Sequence, residues 1–392
     1  MGADIHAEYN PMGDLLSMVA GSWSCEYHRD EMGLETEQLL PGNIRKLLNR
    51  DVIGRVKEQK IEKKHSLVDE KEYIWGTNDR LLSVIINGEH RRYEYDNRGF
   101  LVKTFFENGS EQLRIPDDVG NLYESISRKD RSYGSGGRLE RQGKWKYRYD
   151  DRGNLIKKSQ FLGETWKYEW NSGGMLEKVI RPDKQEVTFK YDALGRRIEK
   201  AFGNILTKWL WDGNVPLHEW KEYHIHDYKK ESGEFVRVEK QAAITWIFEE
   251  GTFVPVAKLT ANGNQSIVTN YMGTPEAMYN SSGEQTWSCD LDSYGRVRKH
   301  FGNLCDCPWR YQGQFEDEET ELYYNRFRYY SPEMGGFLLQ DQIRLDGGNP
   351  TFYCHVKNGN ESVDLYSLMP LSNPVYQGHQ CIIKIQKNEI VI

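Results

Sequence analysis

The chain has 392 residues, which leaves room for two or three ordinary domains, but only 38% of them are hydrophobic. That is low for a compact globule, whereas 12% aromatics, with 24 Tyr and 11 Trp, suit a thin sheet stapled by cross-strand aromatic pairs. The formal net charge is -7 and no long basic run occurs (Lys57–Lys64 is broken by Glu58 and Glu62), which argues against a nucleic-acid surface.

Repeat sequence begins almost at once, at Gly21-Ser22-Trp23-Ser24-Cys25-Glu26-Tyr27. No charged segment followed by an apolar one precedes it, as a signal peptide would need. A repeat array normally carries a capping unit, so the sequence reads as the C-terminal part of a longer protein or a displaced copy of one. Glycines mark the period. Gly33 to Gly54, Gly99 to Gly120, Gly153 to Gly174 and Gly174 to Gly195 are each 21 residues apart. The clearest units are Tyr93-Glu94-Tyr95-Asp96-Asn97-Arg98-Gly99, Tyr147-Arg148-Tyr149-Asp150-Asp151-Arg152-Gly153 and Phe189-Lys190-Tyr191-Asp192-Ala193-Leu194-Gly195. A degenerate copy stands at Tyr73-Ile74-Trp75-Gly76, and the interval from Gly120 to Gly153 carries an insertion around Tyr133–Gly137.

Each unit predicts a hairpin. Aromatic-polar-aromatic alternation puts Tyr93 and Tyr95 on one face of a strand. The Asp-x-x-Gly step is turn chemistry: Asp bonds nearby backbone and Gly takes a positive φ. A second strand follows, as in Phe100–Thr104 or Asn154–Lys158. A period of this size means a repeat architecture, in which each unit buries its apolar face only against its neighbours.

Regular repeats end near Trp209–Asp212. Residues 216–240 are rich in charge and read as a loop or irregular hairpin. There His224-Ile225-His226 alternates as a surface strand would. Strands resume at Ile244–Phe248, Phe253–Ala257 and Ser266–Tyr271, with turn punctuation at Gly273-Thr274-Pro275. One more repeat-like unit spans Trp287–Val297, turning at Asp292 and Gly295. The six cysteines (Cys25, Cys289, Cys305, Cys307, Cys354 and Cys381) contain no C-x-x-C pair, so neither a zinc knuckle nor a disulfide framework is expected. No run of 18 apolar residues occurs, hence no membrane-spanning helix is expected.

The Tyr-Asp-Gly units resemble the YD repeats of the Rhs family. Trp246-Ile247-Phe248-Glu249, Gly273-Thr274-Pro275, Leu291–Arg296 and the run from Tyr311-Gln312-Gly313-Gln314-Phe315 to Tyr323-Tyr324-Asn325-Arg326 resemble its core sequence. Arg328-Tyr329-Tyr330-Ser331-Pro332-Glu333 through Phe337 to Asp341 resembles the Rhs-associated core signature. The resemblance implies an all-β fold: an antiparallel YD-repeat sheet spiralling into a hollow shell, here a partial one, with a core plug at its C-terminal end. The expected divisions are YD repeats over 1–213, irregular β repeats over 214–310, the core domain over 311–368 and a short tail over 369–392. The implied function is a scaffold that encapsulates and delivers a C-terminal toxin cargo. Its partners would be that cargo, a secretion system and an immunity protein. Residence would be outside the cell or on its surface, and in the bacterial cytoplasm before export. No cofactor or metal is implied.

The resemblance also implies a self-cleaving aspartyl site, acting in cis with no turnover on other substrates. In relatives an Arg and two Asp at positions matching Arg328, Asp341 and Asp364 cut just after a D-P-x-G-L motif. Here the motif reads Asp364-Leu365-Tyr366-Ser367-Leu368, which places the cut between Leu368 and Met369. Two carboxylates held close cannot both ionise, so one serves as acid while the other activates water. An arginine would orient them through charge-assisted hydrogen bonds. Leu365 replaces a Pro that fixes φ, and Ser367 a Gly that permits a shape Ser dislikes. Only 24 residues follow Leu368, below the ~40 an unaided fold usually needs, so the cargo is expected to be absent or truncated. Two other readings stand beside this one. One is an adhesion or carbohydrate-binding module, with Trp145, Trp166, Trp209 and Trp211 as stacking platforms. The other is a non-functional remnant. No pair of carboxylates has the context of a glycosidase.

Overall fold

The computed structural model describes residues 4–229, 233–342, 351–368 and 371–372. Among them no α-helix occurs. An eleven-stranded antiparallel sheet runs from Ile5–Tyr9 to Glu111–Leu113, and a seventeen-stranded sheet from Arg131–Tyr133 to Val297–Phe301. Within each, strands are hydrogen-bonded in sequence order, as expected of a chain that adds one hairpin per repeat. The insertion after Gly120 is where the first sheet has ended and the second begins, with the short pair Ile115–Pro116 and Leu122–Tyr123 between them.

The repeated Asp and Gly do what turn chemistry requires. Asp96 Oδ1 accepts from the backbone N–H groups of Arg98 and Phe100, both at 2.9 Å. Gly99 sits at φ 86° and donates to the Asp96 carbonyl. Asp192 and Gly195 repeat the arrangement, with Gly195 at φ 72°. The register shifts at the second aromatic, as between Arg148 and Tyr149 or Lys190 and Tyr191. Such a bulge bends and twists the strand, which curves the wall.

The second aromatic also explains why it is Tyr or Trp and not Phe: its polar tip donates to a carbonyl of the preceding repeat. Tyr95 reaches Leu81 O at 2.7 Å, Trp170 reaches Leu155 O at 2.8 Å and Tyr191 reaches Leu176 O at 2.7 Å. The tryptophans weighed as sugar platforms belong to the same inner face. Trp166 and Trp209 are buried, Lys158 Nζ caps the Trp145 ring at 4.3 Å, and Trp211 donates to Arg197 O at 2.7 Å. They pack into the core rather than line an open groove, because each faces the plug or a neighbouring strand.

Residues 216–240 are more regular than their charge suggested. Val215–Lys229 and Gly233–Lys240 form a long antiparallel ribbon, in which His224 pairs with Val238 and His226 with Val236.

Inside the second sheet sits a small four-stranded sheet: Phe315–Asp317, Leu322–Asn325, Arg328–Ser331 and Gly336–Phe337. Its Phe315, Leu322, Tyr324 and Tyr329 share one core with Tyr168, Leu176, Val187 and Trp209 of the wall. The wall's YD turns hold this plug through backbone carbonyls. Tyr353 Oη donates to Gly153 O at 2.7 Å, Arg326 to Leu194 O at 3.0 Å and Tyr323 Oη to Gly295 O at 2.8 Å. The first sheet packs face to face on the second. Trp23, Ile44 and Ile61 meet Ile247, Val268 and Tyr279, and Trp23 Nε1 donates to Ser266 Oγ at 2.9 Å. Among the described residues side chains fill much of the partial shell, and a cavity of about 650 Å³ lies between the walls.

Candidate functional site

Three segments of the plug converge. Arg328 opens a strand right after the hairpin at Asn325–Arg328, whose tight reversal puts Arg326 at φ 57°. Asp341 follows Gln340, and its N–H donates to Phe352 O at 2.8 Å. Asp364 follows the short strand Ser362–Val363 and begins a turn closed by Ser367 N–H on Asp364 O, at 3.3 Å. Gly313 makes room for that turn: a Cβ there would lie 2.9 Å from Leu365 O.

The structure brings Arg328, Asp341 and Asp364 together. One guanidinium nitrogen of Arg328 lies 2.8 Å from Asp341 Oδ2 and 3.5 Å from Asp364 Oδ2. All three side chains are fully buried. The guanidinium carbon stands 3.8 Å from the centre of the Phe337 ring, and another of its nitrogens donates to Phe352 O at 3.3 Å. Burial pulls the Arg328 guanidinium below its usual pKa, while Asp341 and then Asp364 push it back up. Two carboxylates and one cation leave an excess negative charge if all ionise.

Two titrating neighbours, His355 and Cys354, are uncharged at physiological pH. Burial first, then Arg114 and Arg328, push the His355 imidazole down to about 3. Burial also raises the Cys354 thiol.

Leu368 lies against the pair. Its backbone N–H donates to Asp364 Oδ1 at 2.8 Å. Met369, the other half of the expected cleavage bond, lies outside the described residues. Ser367 takes the left-handed backbone, φ 56°, and its hydroxyl donates to Asn325 O at 2.7 Å. Asn325 Nδ2 in turn donates to Asp364 O at 3.0 Å. Sequence reasoning did not single out Asn325. Its only signal is its place just before a hairpin reversal. A group of three carboxylates, Glu58, Glu70 and Glu72, also lies within reach of a common point, but Lys60 Nζ already bonds Glu58 at 2.8 Å and Glu70 at 3.0 Å.

A family model described as the Teneurin YD-shell matches residues 43–350. Among curated relatives, the chain is 29% identical over 282 residues to double-stranded DNA deaminase toxin A of Burkholderia cenocepacia, covering 67% of this chain and 20% of that protein. It is 29% identical over 299 residues to toxin protein Tse5 of Pseudomonas aeruginosa, covering 68% of this chain and 23% of that one. Against the probable deoxyribonuclease RhsA of Dickeya dadantii it is 25% identical over 382 residues, covering 87% of this chain and 26% of that one. The matched part thus spans a quarter or less of the length of most of these relatives. Among solved structures, a Photorhabdus luminescens Tc holotoxin pore shares the fold with a TM-score of 0.58 at 14% identity, over 94% of this chain and 21% of that one.

Proposed function

Because the chain belongs to the Teneurin YD-shell family, we propose that it is the core-bearing part of a toxin-delivery shell, and that Arg328, Asp341 and Asp364 form a self-cleaving aspartyl site. In this reading residues 311–368 plug the shell, the partner is a toxin cargo joined after Leu368, and the assembly is exported. One observation carries the proposal: two fully buried carboxylates are reached by one guanidinium nitrogen, and one of them already bonds the backbone of Leu368.

The chemistry follows from that geometry. Asp341, nearer the guanidinium, is the ionised base that takes a proton from a water. The hydroxide adds to the Leu368 carbonyl. Asp364 carries a proton and gives it to the departing Met369 nitrogen, so one water is split across the bond. Ser367 supports retention of the site despite its departure from Gly, since it holds the left-handed shape a Gly would take. The test is the intact mass of the purified chain beside Asp341→Asn and Asp364→Asn. The expected result is loss of the 24 residues after Leu368 from the parent and not from either variant. A parent that stays whole sinks the cleavage reading.

A further inference from the structure

Resting on the reading of Arg328, Asp341 and Asp364 as a self-cleaving site, we propose that the bond to be cut is presented as the loop of a β-hairpin, and that Asn325 is the residue that positions this loop on the aspartates. Ser362–Val363 and Leu371–Ser372 pair antiparallel, Ser362 with Ser372 and Val363 with Leu371. The strand that leads into Asp364 thus also holds the chain on the far side of the Leu368–Met369 bond. That hold is made by main chain, so it does not depend on which side chains follow the cut.

The near side of the loop is an arch from Asp364 to Leu368. Ser367 N–H closes on Asp364 O at 3.3 Å, and Leu368 N–H reaches Asp364 Oδ1 at 2.8 Å. Asn325 holds both feet of the arch. Its amide nitrogen donates to Asp364 O at 3.0 Å, and its carbonyl accepts from Ser367 Oγ at 2.7 Å. A carbonyl only accepts, so the nitrogen end of the amide must be the one that faces Asp364 O. Asn325 is fully buried, where such bonds are stronger than in water.

The place of Asn325 in the plug explains how it does this. It ends the strand Leu322–Asn325 and pairs directly with Arg328, which opens the next strand. Opposed residues of an antiparallel pair lie about 5 Å apart. One tight hairpin therefore sets both the guanidinium that faces the two carboxylates and the amide that fixes the main chain carrying one of them. Gly313 leaves room for both partners: a Cβ there would stand 2.9 Å from Leu365 O and 3.3 Å from Asn325 Oδ1. Asn325 acts through the Asp364 main chain and is a positioning residue. Without its amide the arch loosens and Leu368 N–H leaves Asp364 Oδ1. A hydrogen bond donated to a carboxylate favours its charged form, so losing it lets Asp364 keep a proton to higher pH.

The test uses the 392-residue chain beside Asn325→Ala, Leu371→Pro and Ser372→Pro. Each is purified unfolded, refolded by dilution at a series of pH values and quenched at intervals for intact mass, with tryptophan fluorescence reporting recovery of the fold. Asn325→Ala should refold and cut at least about tenfold more slowly than the parent. The decline of its rate on the high-pH side should also move to higher pH, which a general loss of packing would not cause. Successive amides of a strand point to opposite edges, so one proline variant should slow cutting and the other should not. This pair decides the matter if Asn325→Ala does not refold. With a parent that cuts, three results overturn the proposal and leave the aspartyl reading standing: Asn325→Ala cutting as fast, Asn325→Ala slowed equally at every pH, or neither or both proline variants slowed. A parent that never cuts overturns both.

Discussion

Ser367 holds a left-handed backbone at φ 56° and is fully buried. For a residue with a Cβ that shape costs roughly 1–2 kcal/mol. Its hydroxyl bond to Asn325 O is worth about 1 kcal/mol, so the two effects nearly cancel. The two obvious replacements should therefore behave differently. Ser367→Gly relieves the strain and loses the bond, and should leave stability within about 1 kcal/mol of the parent. Ser367→Ala keeps the strain and loses the bond, and should cost about 1 kcal/mol or more. Urea midpoints of the two variants decide it; an Ala variant as stable as the Gly variant would mean that the hydroxyl does not hold this turn. The same turn shows what the sequence revealed of the site. Arg328, Asp341 and Asp364 were found through likeness to a core signature. Nothing in spacings of 13 and 23 residues shows that three side chains meet. Asn325 was missed because its part is played by an amide across a hairpin, and amide contacts leave no periodic mark.

At the scale of elements, turns were legible and docking was not. Asp96 and Gly99 close a turn within five residues, so their chemistry is local and the pattern reports it. The ribbon of Val215–Lys229 and Gly233–Lys240 hid behind its charge. Lys221 and Glu222 give no apolar alternation, and the strand end Val236–Lys240 is exposed and needs none. How the plug seats in the wall could not be read at all, since it depends on residues over a hundred positions apart. Arg197, on the wall strand Arg197–Phe202, pairs with Asp317 of the plug, and Lys200 Nζ lies 3.1 Å from the same carboxylate. All three are buried, and the Arg197 guanidinium lies between Trp209 at 4.5 Å and Tyr324 at 4.4 Å. Removing the anion leaves the Arg197 guanidinium without its carboxylate in a desolvated site, while Lys200 Nζ keeps Glu319 at 2.6 Å. Asp317→Asn should thus cost about 3–5 kcal/mol and should expose the plug to limited proteolysis before the walls. Loss of less than about 1 kcal/mol in denaturant would show that the seat rests on its aromatic packing alone.

The whole molecule depends on two walls meeting face to face, and one titrating group stands at that seam. Glu249 follows the strand Ile244–Phe248 and faces Glu35, Lys46 and Arg29 of the first sheet. Burial, and then Glu35, push its carboxyl up to about 7, against the pull of Lys46 and Arg29. A raised carboxyl pKa means that the folded state holds a proton the unfolded chain releases. Between the ordinary value of 4.5 and about 7 the folded state therefore binds more protons, and stability falls as pH rises through that window. Above it the carboxylate is charged in both states and the loss is complete. Neighbouring Glu250 accepts from Tyr9 Oη of the edge strand Ile5–Tyr9, so repulsion at Glu249 loosens a place where the walls are tied together. Glu249→Gln should flatten the decline in urea midpoint between pH 4.5 and 7 while leaving the acid end nearly unchanged. A variant whose midpoint falls with pH as steeply as the parent's would place the pH sensitivity of this interface on some other group.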